Sequence, residues 1–482
     1  MPELLRCSRL LPRAASAPIA DAGVLVDAGR VVEAGPWAVM VRHAESLPVV
    51  DLPGVTLPGL IDAHNHLRGT PLELQGVPDA PLELWLLRLR TLSELSWADE
   101  ARVAAGQLLG TGVTTVQGVL HGAAARAAYM EQIEGVVAVL AESGIRADVM
   151  VGLTDQAEYA PPGLLEDDLA AYVRADSGTG PADLPEVIRI LARRWEGDRT
   201  GSRVRVGVAP VAPQWSSDEL LGTAGRLLAE GVRAHTHLLE SPAQRRWLPE
   251  DPVGRLRRAG LLGPGLSVAH GVWLEDAELA ELADAEVGVV HCPTSNAGLE
   301  VGAARVRAWW DAGLVPALAT DSHPRNGRLD IFAEMRCALT TAEGVGAPLS
   351  PTEVLSMATI GGAAAVGRGD DLGEIAVGYA ADMVTLDLPT GHVTGADVLA
   401  EAVVEAGPNR VAQVHVAGRR VVHDGQLMAA DETSAAEHRL LLQLRADADA
   451  RRRRQEAATV LDARVLNALH RAGVPVGVGV RS

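Results

Sequence analysis

The chain of 482 residues contains no lysine, so all 43 of its basic residues are arginine. That absence excludes a Schiff-base lysine, a phosphate-loop lysine and a carbamylated lysine bridging two metal ions. Aromatic residues make up only 3%, with Phe332 the single phenylalanine, so the core has to be aliphatic. Cysteine is scarce as well. Cys7, Cys292 and Cys337 are odd in number and far apart, which rules out a disulfide framework or a Cys-x-x-Cys metal knuckle and fits a reducing compartment. No segment holds the ~18 uninterrupted apolar residues of a membrane span. The opening Met1-Pro2-Glu3-Leu4-Leu5-Arg6 lacks the apolar stretch of a signal peptide, and a cytoplasmic location is expected. Basic charge is in deficit: 62 Asp and Glu against 43 Arg leave a net charge of −19. Such a surface repels phosphate backbones and anionic lipid, so neither nucleic acid nor membrane is an expected partner.

The remaining composition, 48% hydrophobic and 22% charged, is that of an ordinary globular protein. Residues up to about 57 read as short strands and turns. Ala22–Val26 and Arg30–Ala34 flank Asp27-Ala28-Gly29, the pattern of a β-hairpin. The same texture returns in Asp382–Leu386 and Val411–Val416. Between these ends, short runs rich in Val, Ile and Leu alternate with helical stretches such as Trp97–Leu109 and Asp276–Ala283. The runs are Leu57–Ala63, Gly112–Gln117, Ala147–Gly152, Val204–Ala209, Val232–His237, Leu266–His270, Val287–His291 and Val315–Thr320. Eight buried strands alternating with helices indicate an α/β protein with a (β/α)8 TIM barrel. A doubly wound sheet is the competing architecture, but no Gly-x-Gly-x-x-Gly follows the first strand. The expected division is residues 1–57 and 379–430 as two halves of a small β-sandwich, 58–378 as the barrel and 431–482 as a helical extension. In that extension, the run Arg451–Arg454 lies among acidic residues and reads as the solvated face of a packing helix.

Histidine and carboxylate positions carry the chemical information. In a (β/α)8 barrel the functional groups sit at the C-terminal ends of the strands. The first strand ends in Asp62-Ala63-His64-Asn65-His66, where residues two apart share a face. The fifth ends in His235-Thr236-His237-Leu238-Leu239-Glu240, the sixth at His270, the seventh at His291-Cys292-Pro293-Thr294-Ser295-Asn296 and the eighth at Thr320-Asp321-Ser322. Neutral imidazoles with one carboxylate are the ligand set of a borderline divalent ion, so a metal site is expected.

In order and type, several motifs are similar to those of the amidohydrolase superfamily, in its branch of nucleobase-type deaminases and triazine hydrolases. They run from Pro58-Gly59-Leu60-Ile61-Asp62-Ala63-His64-Asn65-His66 and Gly110-Thr111-Gly112-Val113-Thr114-Thr115 to His237-x-x-Glu240 and Ala269-His270-Gly271. They continue through His291-Cys292-Pro293-x-Ser295-Asn296, Thr320-Asp321-Ser322 and Ala358-Thr359-x-Gly361-Gly362-Ala363. The last is Gly378-Tyr379-Ala380-Ala381-Asp382, where the family usually has Gly-Lys-x-Ala-Asp.

This resemblance implies His64, His66, His237 and Asp321 as the ligands of one divalent ion, zinc first and ferrous iron second. It places the strand-five ligand three residues before the Glu, leaving His235 a supporting or structural role. The implied chemistry is hydrolysis of a carbon–nitrogen bond by a metal-activated water. Asp321 orients that water, Glu240 carries its proton to the leaving nitrogen, and His270 holds the water and the tetrahedral centre by hydrogen bonds. Without its motif, Glu240 would read as an ordinary carboxylate at a helix start. His291 and Asn296 are expected in the pocket wall. Gln214 and Trp215, where strand four opens, are candidates for contacting a planar substrate, with packing an equal role for Trp215. Arg68 either grips an anionic group or braces its loop, and the loop from Gly69 to Leu82 has a lid's composition. His323 either enters the pocket or caps its loop. The expected reaction is deamination of an N-heterocyclic small molecule. Hydrolysis of a linear amide, urea or carbamate, or dechlorination of a triazine-like ring, is the alternative. A non-enzymatic scaffold is disfavoured by the full ligand set together with Glu240 and His270. The branch implies a homodimer or larger homo-oligomer.

Overall fold

The structure, a computed structural model, describes residues 2–121, 126–155, 184–195, 203–248, 251–322, 328–388 and 395–477. The chain begins with β1 (Glu3–Leu10), the hairpin β2 (Ile19–Asp27) and β3 (Arg30–Pro36), and β4 (Val49–Pro58). The hairpin turns where expected, because Ala28 and Gly29 both take positive φ, at 48° and 78°. The middle of the chain forms β5 (Leu60–Asn65), β6 (Val113–Leu120), β7 (Arg146–Leu153), β8 (Val204–Pro210), β9 (Ala234–Leu238), β10 (Leu266–His270), β11 (Gly288–His291) and β12 (Ala317–Leu318). The chain returns through β13 (Met383–Leu386), β14 (Val411–Val416), β15 (Arg419–His423) and β16 (Gln426–Leu427).

β5 to β12 hydrogen-bond to their neighbours in sequence order. All pairs are parallel, with helices between them. Every residue of β6 and β7 is buried, as continuous apolar runs of a doubly covered parallel sheet require. The ring closes through a parallel bridge between Asn65 and Asp321. The eighth strand is shorter than the sequence suggested, two residues instead of Val315–Thr320. Pro316 brings no amide to the ladder, and Asp321 turns out of it at φ +64°.

The two chain ends share one eight-stranded sheet, in the order β16-β15-β14-β13-β4-β1-β2-β3. They join where β13 runs antiparallel to β4. β4 leads into β5 across Gly59, where an added Cβ would lie 2.1 Å from Oγ1 of Thr114. At this joint Arg146 of β7 makes a two-pronged pair with Asp382, at 3.0 and 3.1 Å, with both side chains buried.

The extension forms two helices, Ala430–Ala446 and Ala448–Arg471, broken at Asp447. Ala436 and Leu440 pack on Val103 of the helix Trp97–Gly110, while Val465 and Leu469 meet Leu87 and Ala243. The arginine run divides by helical period. Arg452 and Arg453 face solvent, whereas Arg451 donates to Ser93 and Arg454 to the carbonyls of Thr91 and Leu92. The segment after β5 is thereby tied to the C-terminal helices.

Candidate metal centre

β5 delivers His64 and His66, and β9 delivers His235 and His237. β10 ends on His270, and Asp321 closes the ring beside β5. The ligating atoms of His64, His66 and His237 lie within 4.8 Å of one another, and so do those of His64, His270 and Asp321. Oδ1 of Asp321 is 3.2 Å from Nε2 of His64 and 3.3 Å from Nε2 of His66. His270 takes φ +71°, Asp321 +64° and Leu239 +48°. Such left-handed backbone at non-glycine residues costs of order 1–3 kcal/mol each, and it recurs where strand ends are bent to aim functional groups.

The imidazoles are presented in one tautomer. His66 Nδ1 donates to the Val119 carbonyl at 3.0 Å, and His237 Nδ1 to the Val211 carbonyl at 2.7 Å. A carbonyl only accepts, so each Nδ1 holds the proton and each Nε2 keeps its lone pair for the shared centre. His64 Nδ1 is 2.8 Å from Nε2 of His235, whose own Nδ1 is 2.8 Å from Ser267 Oγ. His235 therefore stands behind His64 and is absent from the cluster of ligating atoms.

Burial pushes His64 down to about 4 and His237 well below the usual imidazole range. Three imidazoles and one carboxylate are what a divalent cation of borderline softness binds. Nε2 of His64 is moreover buried and makes no hydrogen bond among the described residues. The residues fit such an ion.

Glu240 lies just past β9, with Oε1 3.7 Å from Nε2 of His270. Its side chain accepts from Gln244 at 3.3 Å, and burial pushes its carboxyl up to about 7. His270 Nδ1 donates to Oδ1 of Asn296 at 3.0 Å, so Asn296 directs the other ring nitrogen toward Glu240. Behind the centre, Asp62 accepts from the Thr320 amide and from Asn65, at 3.1 Å each, fastening strand one to strand eight.

The other expected contacts divide. Among the described residues, buried Gln214 has neither amide atom hydrogen-bonded, and His291 Nδ1 and Asn296 Nδ2 are likewise buried without a partner. Trp215 is buried and meets Trp247 edge to face. Arg68 lines a cavity of about 950 Å³ together with His66, Gln75, Glu100, His121 and Arg454. Glu240, His270, His291, Asn296, Gln214 and Trp215 do not line that cavity. His323 lies outside the described residues. Sequence reasoning missed His121. It follows β6 directly, its ring 4.8 Å from that of His66 and 5.5 Å from that of His237. Burial holds it well below the usual imidazole range. Carrying the second strand through Gly118-Val119-Leu120 would have put this histidine at a strand end, like the others.

Comparison with known proteins agrees with this geometry. The chain is 30% identical over 387 residues to a 5-methylthioadenosine/S-adenosylhomocysteine deaminase of Moorella thermoacetica, covering 78% of this chain and 84% of that protein. It is similar to the zinc-bound crystal structure of an adenosine deaminase from Xanthomonas campestris, at 26% identity and a TM-score of 0.74, covering 90% of this chain and 97% of that one. Its fold is also that of an atrazine chlorohydrolase from Arthrobacter aurescens, with a TM-score of 0.74 at 22% identity over 90% of this chain and 99% of the other. The sequence profile of the amidohydrolase family matches residues 55–421. With the barrel, the strand-end histidines and that match in hand, the chain belongs to the amidohydrolase family.

Proposed function

We propose that this hydrolase deaminates a small N-heterocycle, with His64, His66, His237 and Asp321 holding one divalent ion, zinc first. The observation that carries the reading is the grouping of His64 with His66 and His237, the approach of Asp321 to His64 and His66, and the Glu240–His270 pair beside them. The names of its relatives point the same way, since they act on adenine-type nucleosides.

When bound, the ion supplies Lewis acidity that makes water a nucleophile near neutral pH. Glu240 takes a proton from the attacking water and returns it to the departing nitrogen. Its pKa of about 7 suits both transfers, because a group poised near the working pH accepts and donates with similar ease. His270, held by Asn296, offers Nε2 to the developing tetrahedral centre. Gln214, with both amide atoms buried and unpartnered among the described residues, suits the donor–acceptor edge of a planar ring.

The test is ammonia release by metal-replete protein from purines and their nucleosides, pyrimidines, pterins and triazines, beside linear ureas and anilides. Metal per subunit is determined on the same sample. Ammonia from a ring substrate supports the proposal; turnover confined to ureas, anilides or chlorinated triazines overturns it.

A further inference from the structure

The cavity of about 950 Å³ meets the centre at His66 and His121 and extends to the C-terminal helices at Asp447 and Arg454. We propose that His121 is a substrate-contacting residue, and that this cavity receives an uncharged, hydroxyl-bearing substituent of the heterocycle. The inference rests on the deaminase reading and adds where the substrate's second part lies.

Placement is the first argument. His121 follows the second barrel strand, level with the ligands, and its ring packs against those of His66 and His237. The ring of His237 also stacks on that of His270, at 5.4 Å. His121 and His270 therefore both pack against His237, with ring centroids 5.5 and 5.4 Å from its own. The second argument is hydrogen bonding. Both ring nitrogens of His121 are buried and neither has a partner among the described residues, an unfavourable state that a bound group relieves. A neutral imidazole offers one donor and one acceptor. A hydroxyl matches both, whereas a carboxylate or phosphate only accepts and an ammonium only donates.

The walls agree. Three arginines, Arg68, Arg90 and Arg454, face three carboxylates, Glu94, Glu100 and Asp447. Of these, Arg454 is held by Asp447 at 2.6 Å, and Glu100 accepts from the Thr70 amide at 3.0 Å. Such a wall selects neither sign of charge. The volume is near the top of the usual range for small-molecule sites, roughly 300–1,000 Å³, and exceeds what a bare ring fills.

The experiment uses the full chain with its metal, and adenosine and adenine as probes. Affinities are measured by calorimetry in a Glu240→Gln background, and KM and kcat in the active protein. His121→Phe keeps the ring and removes both nitrogens; His121→Asn restores a donor and an acceptor. We expect His121→Phe to weaken adenosine at least about ten-fold and adenine less than about two-fold, raising KM for adenosine at unchanged metal per subunit. His121→Asn should recover part of the loss. Unchanged adenosine affinity, equal losses for both probes, or loss of metal in both variants would overturn the assignment. If the unsubstituted protein turns over ring substrates while His121→Phe behaves identically, the cavity assignment alone falls. If it releases ammonia from no ring substrate, both readings fall.

Discussion

The backbone amide of Asp321 donates to the carbonyl of His64 at 2.9 Å, and the amide of His66 donates back to the carbonyl of Asp321 at 3.1 Å. The seam that closes the barrel is thus made by the residues whose side chains converge on the centre. Barrel closure and the geometry of the proposed ligands are one structural event.

Metal content should follow from that arrangement. His237→Ala removes a proposed ligand on β9 without touching the seam, so bound metal per subunit should fall at least ten-fold by elemental analysis, a loss of about 1.4 kcal/mol or more of binding free energy. Full occupancy in this variant would mean that other residues hold the ion.

Glu240→Gln keeps the shape of the side chain and removes its proton-carrying capacity. Metal should stay bound while kcat drops by about 10² to 10⁴. A near-normal rate would remove Glu240 from the proton path.

The pH profile gives an independent reading. Glu240 accepts a proton only as the carboxylate, and burial disfavours that charged form, raising its pKa to about 7. Activity should therefore decline as pH falls through about 7, not through the range of an exposed glutamate. A profile of kcat/KM that stays flat down to pH 5 would contradict this assignment.

Arg146 and Asp382 couple the barrel to the sheet built from the chain ends. Asp382→Ala removes two hydrogen bonds and the paired charge from the buried Arg146 guanidinium, and with them the acceptor of the Ala417 amide. Urea unfolding should show a loss of about 3–5 kcal/mol. The double variant Arg146→Met/Asp382→Leu should lose clearly less, because no uncompensated charge remains. Equal losses would assign the effect to packing.

The C-terminal helices should influence substrate binding without taking part in chemistry. Arg454→Ala removes the hydrogen bonds that tether Thr91 and Leu92, whose neighbours line the cavity. KM should rise by roughly three- to ten-fold, equivalent to about 1 kcal/mol for a partly exposed charged hydrogen bond, with kcat changed far less. Faster hydrogen exchange at 89–95 should accompany it. A fall in kcat alone would contradict a tethering role.

Much of the site was legible because each element of the barrel announces itself locally. Apolar runs mark the strands, and His64, His66, His237, His270 and Asp321 stand at or just past their ends. Errors fell where tertiary pairing overrides local pattern. The second strand runs on past Gln117 to Leu120, which hid His121, and the eighth shrinks because Pro316 and the turn at Asp321 interrupt it.

The order of strands and the chemical types at their ends were determined by sequence alone, since periodicity and side-chain identity are local properties of the chain. Folding decided which of those groups meet. His235 and His237 share a face of β9, yet one backs His64 and the other joins the centre. Asn296, a pocket-wall candidate by motif, proves to orient His270, and the arginine run of the last helix proves to divide between solvent and the loop at 91–93. These outcomes depend on distances across the barrel, which closure sets and no local pattern encodes.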